Sequence, residues 1–263
     1  MDKVSTTQVE DNLNQSINEA VSGVGGFSKY VQSGDVVMLK PNFNTADPSP
    51  ASTDINFLKA VVELCYENDA KLVMIAESST MTINSRKVME QVGVFELLEM
   101  NPPPRIYVFE EHEWVKKEIT DAHSLKKVSI PKLLERPDKL IYLPCLKTHK
   151  YAEFTGALKL SVGLMKPNQR VKLHMNDLQE KIAELNTLVH PDLVIMDGRK
   201  CFINEGPSNG DVEEPNLILA SESRVAIDIE GVKIIQRYKG NSLKDIVPEE
   251  LPQIKKAIEN NVK

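Results

Sequence analysis

The chain has 263 residues, with 32 lysines and arginines against 38 aspartates and glutamates, and a formal net charge of −6. That acid excess argues against a nucleic-acid-binding surface, so any basic site is local. Three widely spaced cysteines, Cys65, Cys145 and Cys201, include no C-x-x-C pair and signal neither a disulfide framework nor a cysteine-built zinc or iron–sulfur centre. No apolar run approaches the roughly 20 residues needed to span a bilayer, and the N-terminus lacks the basic and apolar regions of a signal peptide. The expectation is a cytoplasmic protein without a membrane segment.

Val9, Leu13, Ile17 and Val21 recur at four-residue spacing and predict an N-terminal helix over about residues 7–22, with Thr6 or Thr7 as its cap. The run from Val36 to Leu39 is apolar without alternation, as expected of a strand covered on both faces. A polar, proline-containing loop follows from Asn42 to Ser52, and a helix opens near Thr53 and Asp54. Lys71 to Ala76 reads as a second buried strand, so strand, helix and strand form a right-handed βαβ unit with parallel strands. A helix from Ser85 to Met100 and a strand from Ile106 to Phe109 come next. The charged segment from Glu110 to Leu134 suggests a hairpin-like excursion containing Trp114 and Val128-Ser129-Ile130.

A strand from Lys139 to Leu143 leads into a polar stretch reaching Asn176, followed by a helix from Asp177 to Leu188. Asp192 to Gly198 reads as a buried strand closed by Asp197 and Gly198, and Asn216 to Ser221 as another strand. Helices are expected from Val225 to Arg237 and over about residues 249–260. The pattern predicts a single three-layer α/β/α domain over residues 1–263, with a mostly parallel, twisted, Rossmann-like sheet.

Open parallel sheets bind ligands beyond the carboxyl ends of their strands. The residues that follow the apolar runs are Lys40 and Asn42, Glu77 and Ser78, Lys147, Thr148 and His149, then Asp197 and Gly198. Loops are polar in any case, but four strands ending this way favour a site. Lys147 and His149 lie two apart and face the same side if the strand continues that far. Lys147 reads either as a surface lysine or as an anion ligand, base or nucleophile. His149 and His174 read as acid–base groups or as metal ligands with Asp197 or Glu205; no H-x-x-x-H spacing supports a metal, and a metal-free site is preferred. Thr155 and Gly156 precede a partly helical segment whose first backbone N–H groups are free to receive an anion, with Lys159 in the next turn. Cys145 reads as a buried apolar residue in preference to a nucleophile, and Asp228 as favouring a helix N-terminus. Gly23-x-Gly25-Gly26 precedes a strand and therefore fails as a dinucleotide fingerprint.

Lys40-Pro41-Asn42, Leu146-Lys147-Thr148-His149, Thr155-Gly156-Ala157-Leu158-Lys159 with Gly163, His174, Pro191 through Gly198, Glu205-Gly206-Pro207, and Ala226 with Asp228 occur in a fixed order. Together they resemble the prokaryotic domain-of-unknown-function family 362 over about residues 35–235. The resemblance implies an α/β domain with Lys40, Asn42, Lys147, His149, Lys159, His174, Asp197 and Asp228 in or near a polar site. It also suggests a ferredoxin-like electron carrier as partner, since many members are associated with iron–sulfur modules. This chain departs in lacking a four-cysteine motif, and in having Leu160 where many relatives carry asparagine.

The combined expectation is an enzyme acting on a small anionic substrate. Lys147, His149 and His174 would carry acid–base chemistry, and Lys40, Asn42, Thr155, Lys159, Asp197 and Asp228 would bind substrate. A redox link is the family-level suggestion. The competing reading is a non-catalytic anion- or metal-binding module, or a subunit of an iron–sulfur partner. Cofactor and oligomeric state are left unset.

Overall fold

The computed structural model describes residues 2–173 and 175–263. In chain order its elements are β1 (Val4–Gln8), α1 (Leu13–Ser22), α2 (Phe27–Tyr30), β2 (Val36–Lys40), α3 (Ile55–Glu67), β3 (Leu72–Glu77), α4 (Ser85–Gln91) and β4 (Arg105–Val108). They continue with β5 (Trp114–Glu118), β6 (Lys127–Pro131), β7 (Lys139–Tyr142), β8 (Cys145–His149), β9 (Glu153–Thr155), α5 (Ala157–Leu160), α6 (Pro167–Leu173) and α7 (Leu178–Leu185). The last are β10 (Leu193–Phe202), β11 (Val212–Glu213), β12 (Leu217–Ser221), α8 (Arg224–Ile235) and α9 (Pro252–Glu259).

The main sheet runs β1-β12-β10-β7-β2-β3-β4, with β8 and β11 also pairing to β10. From β10 to β4 the neighbours are parallel, whereas β12 is antiparallel to both β10 and β1. The continuous apolar runs arise because each strand is covered on both faces. Val37 and Leu39 of β2, Val73 and Ile75 of β3 and Ile141 of β7 pack into one core with helices α1 and α3. Met38, Met74 and Tyr142, one residue out of phase, pack into a second core with α5, α7, α8 and α9. These two cores are the outer faces of an α/β/α sandwich, and the excursion after β4 is a separate antiparallel pair, β5 with β6.

Chain order places β3 and then β4 on one side of β2, and β7 and then β10 on the other. The direction of winding reverses beside β2, which opens a crevice at the carboxyl ends of β2 and β7. Among the described residues no helix is long and apolar enough to cross a membrane.

Several expectations are corrected. The N-terminal helix starts at Leu13 with Asn12 as its cap, whose side chain accepts the Gln15 N–H. The residues before it form β1, because Ser5-Thr6-Thr7 finds an open sheet edge at β12 that suits β-branched side chains. The expected helix from Ser85 to Met100 breaks at Gly93, whose φ of 84° turns the chain into a short 3-10 segment. The strand expected to close at Gly198 instead runs to Phe202, since its second half pairs with β8 and β11.

The backbone N–H groups after Gly156, expected to be free for an external anion, are occupied by the protein itself. Asp228, buried on α8, accepts the N–H of Ala157 at 2.6 Å and of Leu158 at 3.0 Å. Burial pushes its carboxyl up to about 7, against the two N–H bonds that pull it down. A side chain on Gly156 would collide with it, since a Cβ there would lie 2.1 Å from Asp228 Oδ1. Replacing Asp228 by alanine leaves two buried donors unmatched and should lower stability by about 2–4 kcal/mol in urea denaturation, with Asp228→Asn losing less.

Candidate functional site

Lys40 ends β2 and Glu77 ends β3, and both side chains are fully enclosed. Lys40 Nζ lies 2.6 Å from Glu77 Oε1 and also donates to the Pro41 carbonyl at 2.9 Å. Glu77 in turn accepts the N–H of Phe43 at 3.0 Å and of Ser78 at 2.7 Å. Burial draws the Lys40 amine down from its ordinary value, and Glu77 acts against that shift. Gly163 closes over the pair: a Cβ there would lie 2.7 Å from Lys40 Nζ and 3.0 Å from Glu77 Oε1.

The strand continues past Pro144 as β8, so Lys147 and His149 do share a face, and antiparallel pairing sets Thr155 of β9 opposite Lys147. Thr148, on the other face, accepts the Gly206 N–H at 3.3 Å and holds the loop that carries Pro207. Lys147 is 2% exposed and donates to the Ala51 carbonyl. Its amine is drawn down by burial, with Cys145 and Asp47 acting the other way. Lys159, on α5, is partly buried; burial lowers its amine to about 8, and the neighbouring Lys147 and Arg170 charges push the same way. Among the described residues neither Lys147 nor Lys159 forms an ion pair with a carboxylate, unlike Lys40. The Thr155 hydroxyl is buried and has no hydrogen-bond partner among the described residues.

His149 Nδ1 accepts the N–H groups of Tyr151 and Ala152, each at 3.1 Å. Two donors at that nitrogen fix the neutral ring as the tautomer with its proton on Nε2. Arg170 of α6 donates to the carbonyls of Met165, Gly163, Ser78 and Ser79 and to Ser78 Oγ, so its guanidinium ties α6 to the end of β3.

These groups line one cavity of about 340 Å³. Lys40, Asn42, Lys147, His149, Thr155 and Lys159, all expected from the sequence, meet there. His174 lies outside the described residues. Asp197 does not line the cavity: it accepts two bonds from Arg199, at 2.9 and 2.7 Å, and Arg199 continues to Asp54 at 2.9 Å. Asp228 does not line it either, being engaged with the start of α5. Glu77 and Ser78, read as polar strand ends but not as ligand-binding residues, also line it, with Arg170, Val171 and Pro207. Glu77 had a signal, an acid at a strand end, but its pairing with Lys40 depends on the two strands being parallel neighbours. Among the described residues no three His, Cys, Asp or Glu side chains gather as a metal site, and the three cysteines are buried on separate elements.

The fold and the cavity define an α/β protein with a cationic pocket at the switch point of a mostly parallel sheet. The chain belongs to the family described as Domain of unknown function (DUF362), whose profile matches residues 37–233. It is 29% identical over 229 residues to the thylakoid-associated protein sll1697 of Synechocystis sp., covering 84% of this chain and 69% of that one. Among solved structures it is similar to the lactate racemase apoprotein of Thermoanaerobacterium thermosaccharolyticum, with a TM-score of 0.46 and 12% identity. That match covers 87% of this chain, which spans 57% of the racemase chain.

Removing one member of a buried ion pair strands the other charge, whereas removing both does not. Lys40→Met should therefore lower stability by about 3–5 kcal/mol in urea denaturation, and adding Glu77→Gln to it should restore part of the loss. A double variant less stable than Lys40→Met would show that the carboxylate is held by its backbone donors alone.

Proposed function

We propose that the cavity binds a small anionic compound, and that the protein is an enzyme acting on it by lysine and histidine acid–base chemistry. The observation that carries this reading is the pair of cations, Lys147 and Lys159, that face one cavity without a carboxylate partner among the described residues. A buried ammonium group without a counterion is costly, and an anionic ligand removes that cost. Asn42 and the unpartnered Thr155 hydroxyl stand on the same walls to orient such a ligand.

The roles divide by environment. Lys147, held by the Ala51 carbonyl, anchors the anion. Lys159, lowered to about 8, gains or loses a proton near neutral pH. His149, whose Nδ1 accepts two backbone N–H groups, stands on the cavity wall as the acid–base group. His174 remains a second proton carrier on sequence grounds alone. Asp197 and Asp228 support the site from behind, through Arg199 and through the start of α5. Redox work, if the family association extends to this chain, draws its electrons from a separate carrier, since Cys65, Cys145 and Cys201 are dispersed.

Sulfate, whose charge is constant across the relevant pH range, is a suitable probe in calorimetric titration. Lys147→Met and Lys159→Met should each weaken its binding at least about tenfold, the worth of a charge-assisted hydrogen bond, with little change in melting temperature. The Lys159 amine is charged below about 8 and neutral above, so wild-type affinity should fall as pH rises through that value. Lys159→Arg should remove the fall, since a guanidinium stays protonated. Equal sulfate binding by the wild type and the Lys147→Met/Lys159→Met double variant would overturn the reading.

A further inference from the structure

The walls of the cavity are not uniformly polar. Leu160 and Val162 line it in its buried part, at 6% and 8% exposure, while Met81 and Val171 line it at 48% and 44% exposure. Lys147 and Thr155 belong to the same buried part, at 2% and 7% exposure, and Lys159 is partly buried. The cavity therefore joins a buried part, where Lys147 and Thr155 stand with Leu160 and Val162, to an exposed part where Met81 and Val171 stand with Asn44. Exposed apolar side chains scattered singly over a surface need no explanation, but these two line one pocket together with Leu160 and Val162. A volume of about 340 Å³ also lies within the range of organic-ligand pockets, about 300–1,000 Å³, and far exceeds what a lone carboxylate or phosphate group fills.

We infer that the ligand is an amphipathic organic anion, a carboxylate or phosphate monoester bound head first, with an apolar body that lies along Leu160 and Val162 and leaves between Met81 and Val171. This rests on the anion-binding reading above and adds the chemical class of the rest of the molecule. Two features of the walls give the orientation. The charged head needs the lysines and the Thr155 hydroxyl, and of these Lys147 and Thr155 stand in the buried part of the cavity. The apolar body gains by covering side chains that otherwise face water at the mouth.

The test is a calorimetric series on the intact chain at pH 7 with acetate, butyrate, hexanoate and octanoate, alongside sulfate. Transfer of a methylene from water into an apolar site strengthens binding by roughly fourfold. Affinity should therefore rise from acetate to octanoate by at least about a hundredfold, with saturation once the chain clears the mouth. In a Met81→Ser/Val171→Ser variant the octanoate-to-acetate affinity ratio should drop at least about tenfold. Both positions are well exposed, so the fold should hold, and a melting curve checks this. Sulfate and acetate binding with no gain along the wild-type series would overturn this inference and leave the anion site standing. Binding of none of the five anions would overturn both. An unchanged ratio in a folded Met81→Ser/Val171→Ser variant would place the apolar contact elsewhere and also count against the proposal.

Discussion

The site depends first on the ion pair between Lys40 and Glu77. The two side chains meet at 2.6 Å at the ends of adjacent parallel strands, at 1% and 2% exposure. Such a pair is tolerated only when each partner's remaining hydrogen-bonding capacity is met, as it is here by the Pro41 carbonyl and by the N–H groups of Phe43 and Ser78. Those bonds fix the loops that leave β2 and β3. Gly163 must come close enough to cover the pair, so the segment after α5 is fixed as well. Arg170 then ties α6 to the same strand end through the carbonyls of Ser78 and Ser79. The crevice that any doubly wound sheet opens at its switch point is thus turned into a cavity with defined walls.

Against that neutralised pair, Lys147 and Lys159 differ in kind. Their burial weakens the charged form, and among the described residues no carboxylate restores it by an ion pair. Elsewhere buried carboxylates are matched, Asp197 by Arg199 and Asp228 by the start of α5, and within the cavity Glu77 is taken by Lys40. Preorganised charge in a dry site is how proteins stabilise anionic ligands and transition states. The proposed acid–base work adds one requirement, a group that changes protonation near neutral pH, and burial lowers the Lys159 amine to about 8.

The sequence made the sheet readable because strands covered on both faces carry apolar runs such as Val36-Val37-Met38-Leu39, which no surface element needs. Lys147 and His149 were legible as a pair because the two-residue period of a strand survives past Pro144. The errors have physical causes as well. Val9 continues the spacing of Leu13, Ile17 and Val21 yet lies outside the helix, because β1 pairs with β12, an edge more than 200 residues away. Asp228 was placed in the site by its place in a motif, but its partners, the N–H groups of Ala157 and Leu158, belong to an element that the fold alone brings to it. Glu77 was visible as a polar strand end; that it pairs with Lys40, and not with Lys147 or Lys159, is a property of strand adjacency that no single run of residues encodes.

The central claim concerns the state of one amine, so the most direct measurement is an NMR pH titration of the Lys159 side chain in protein labelled at lysine Cε and Nζ. An unpaired, desolvated amine beside Lys147 and Arg170 should titrate near 8, and sulfate in the cavity should move that midpoint upward by stabilising the charged form. A Lys159 resonance that titrates at the ordinary lysine value of 10.5 and does not respond to sulfate would contradict it.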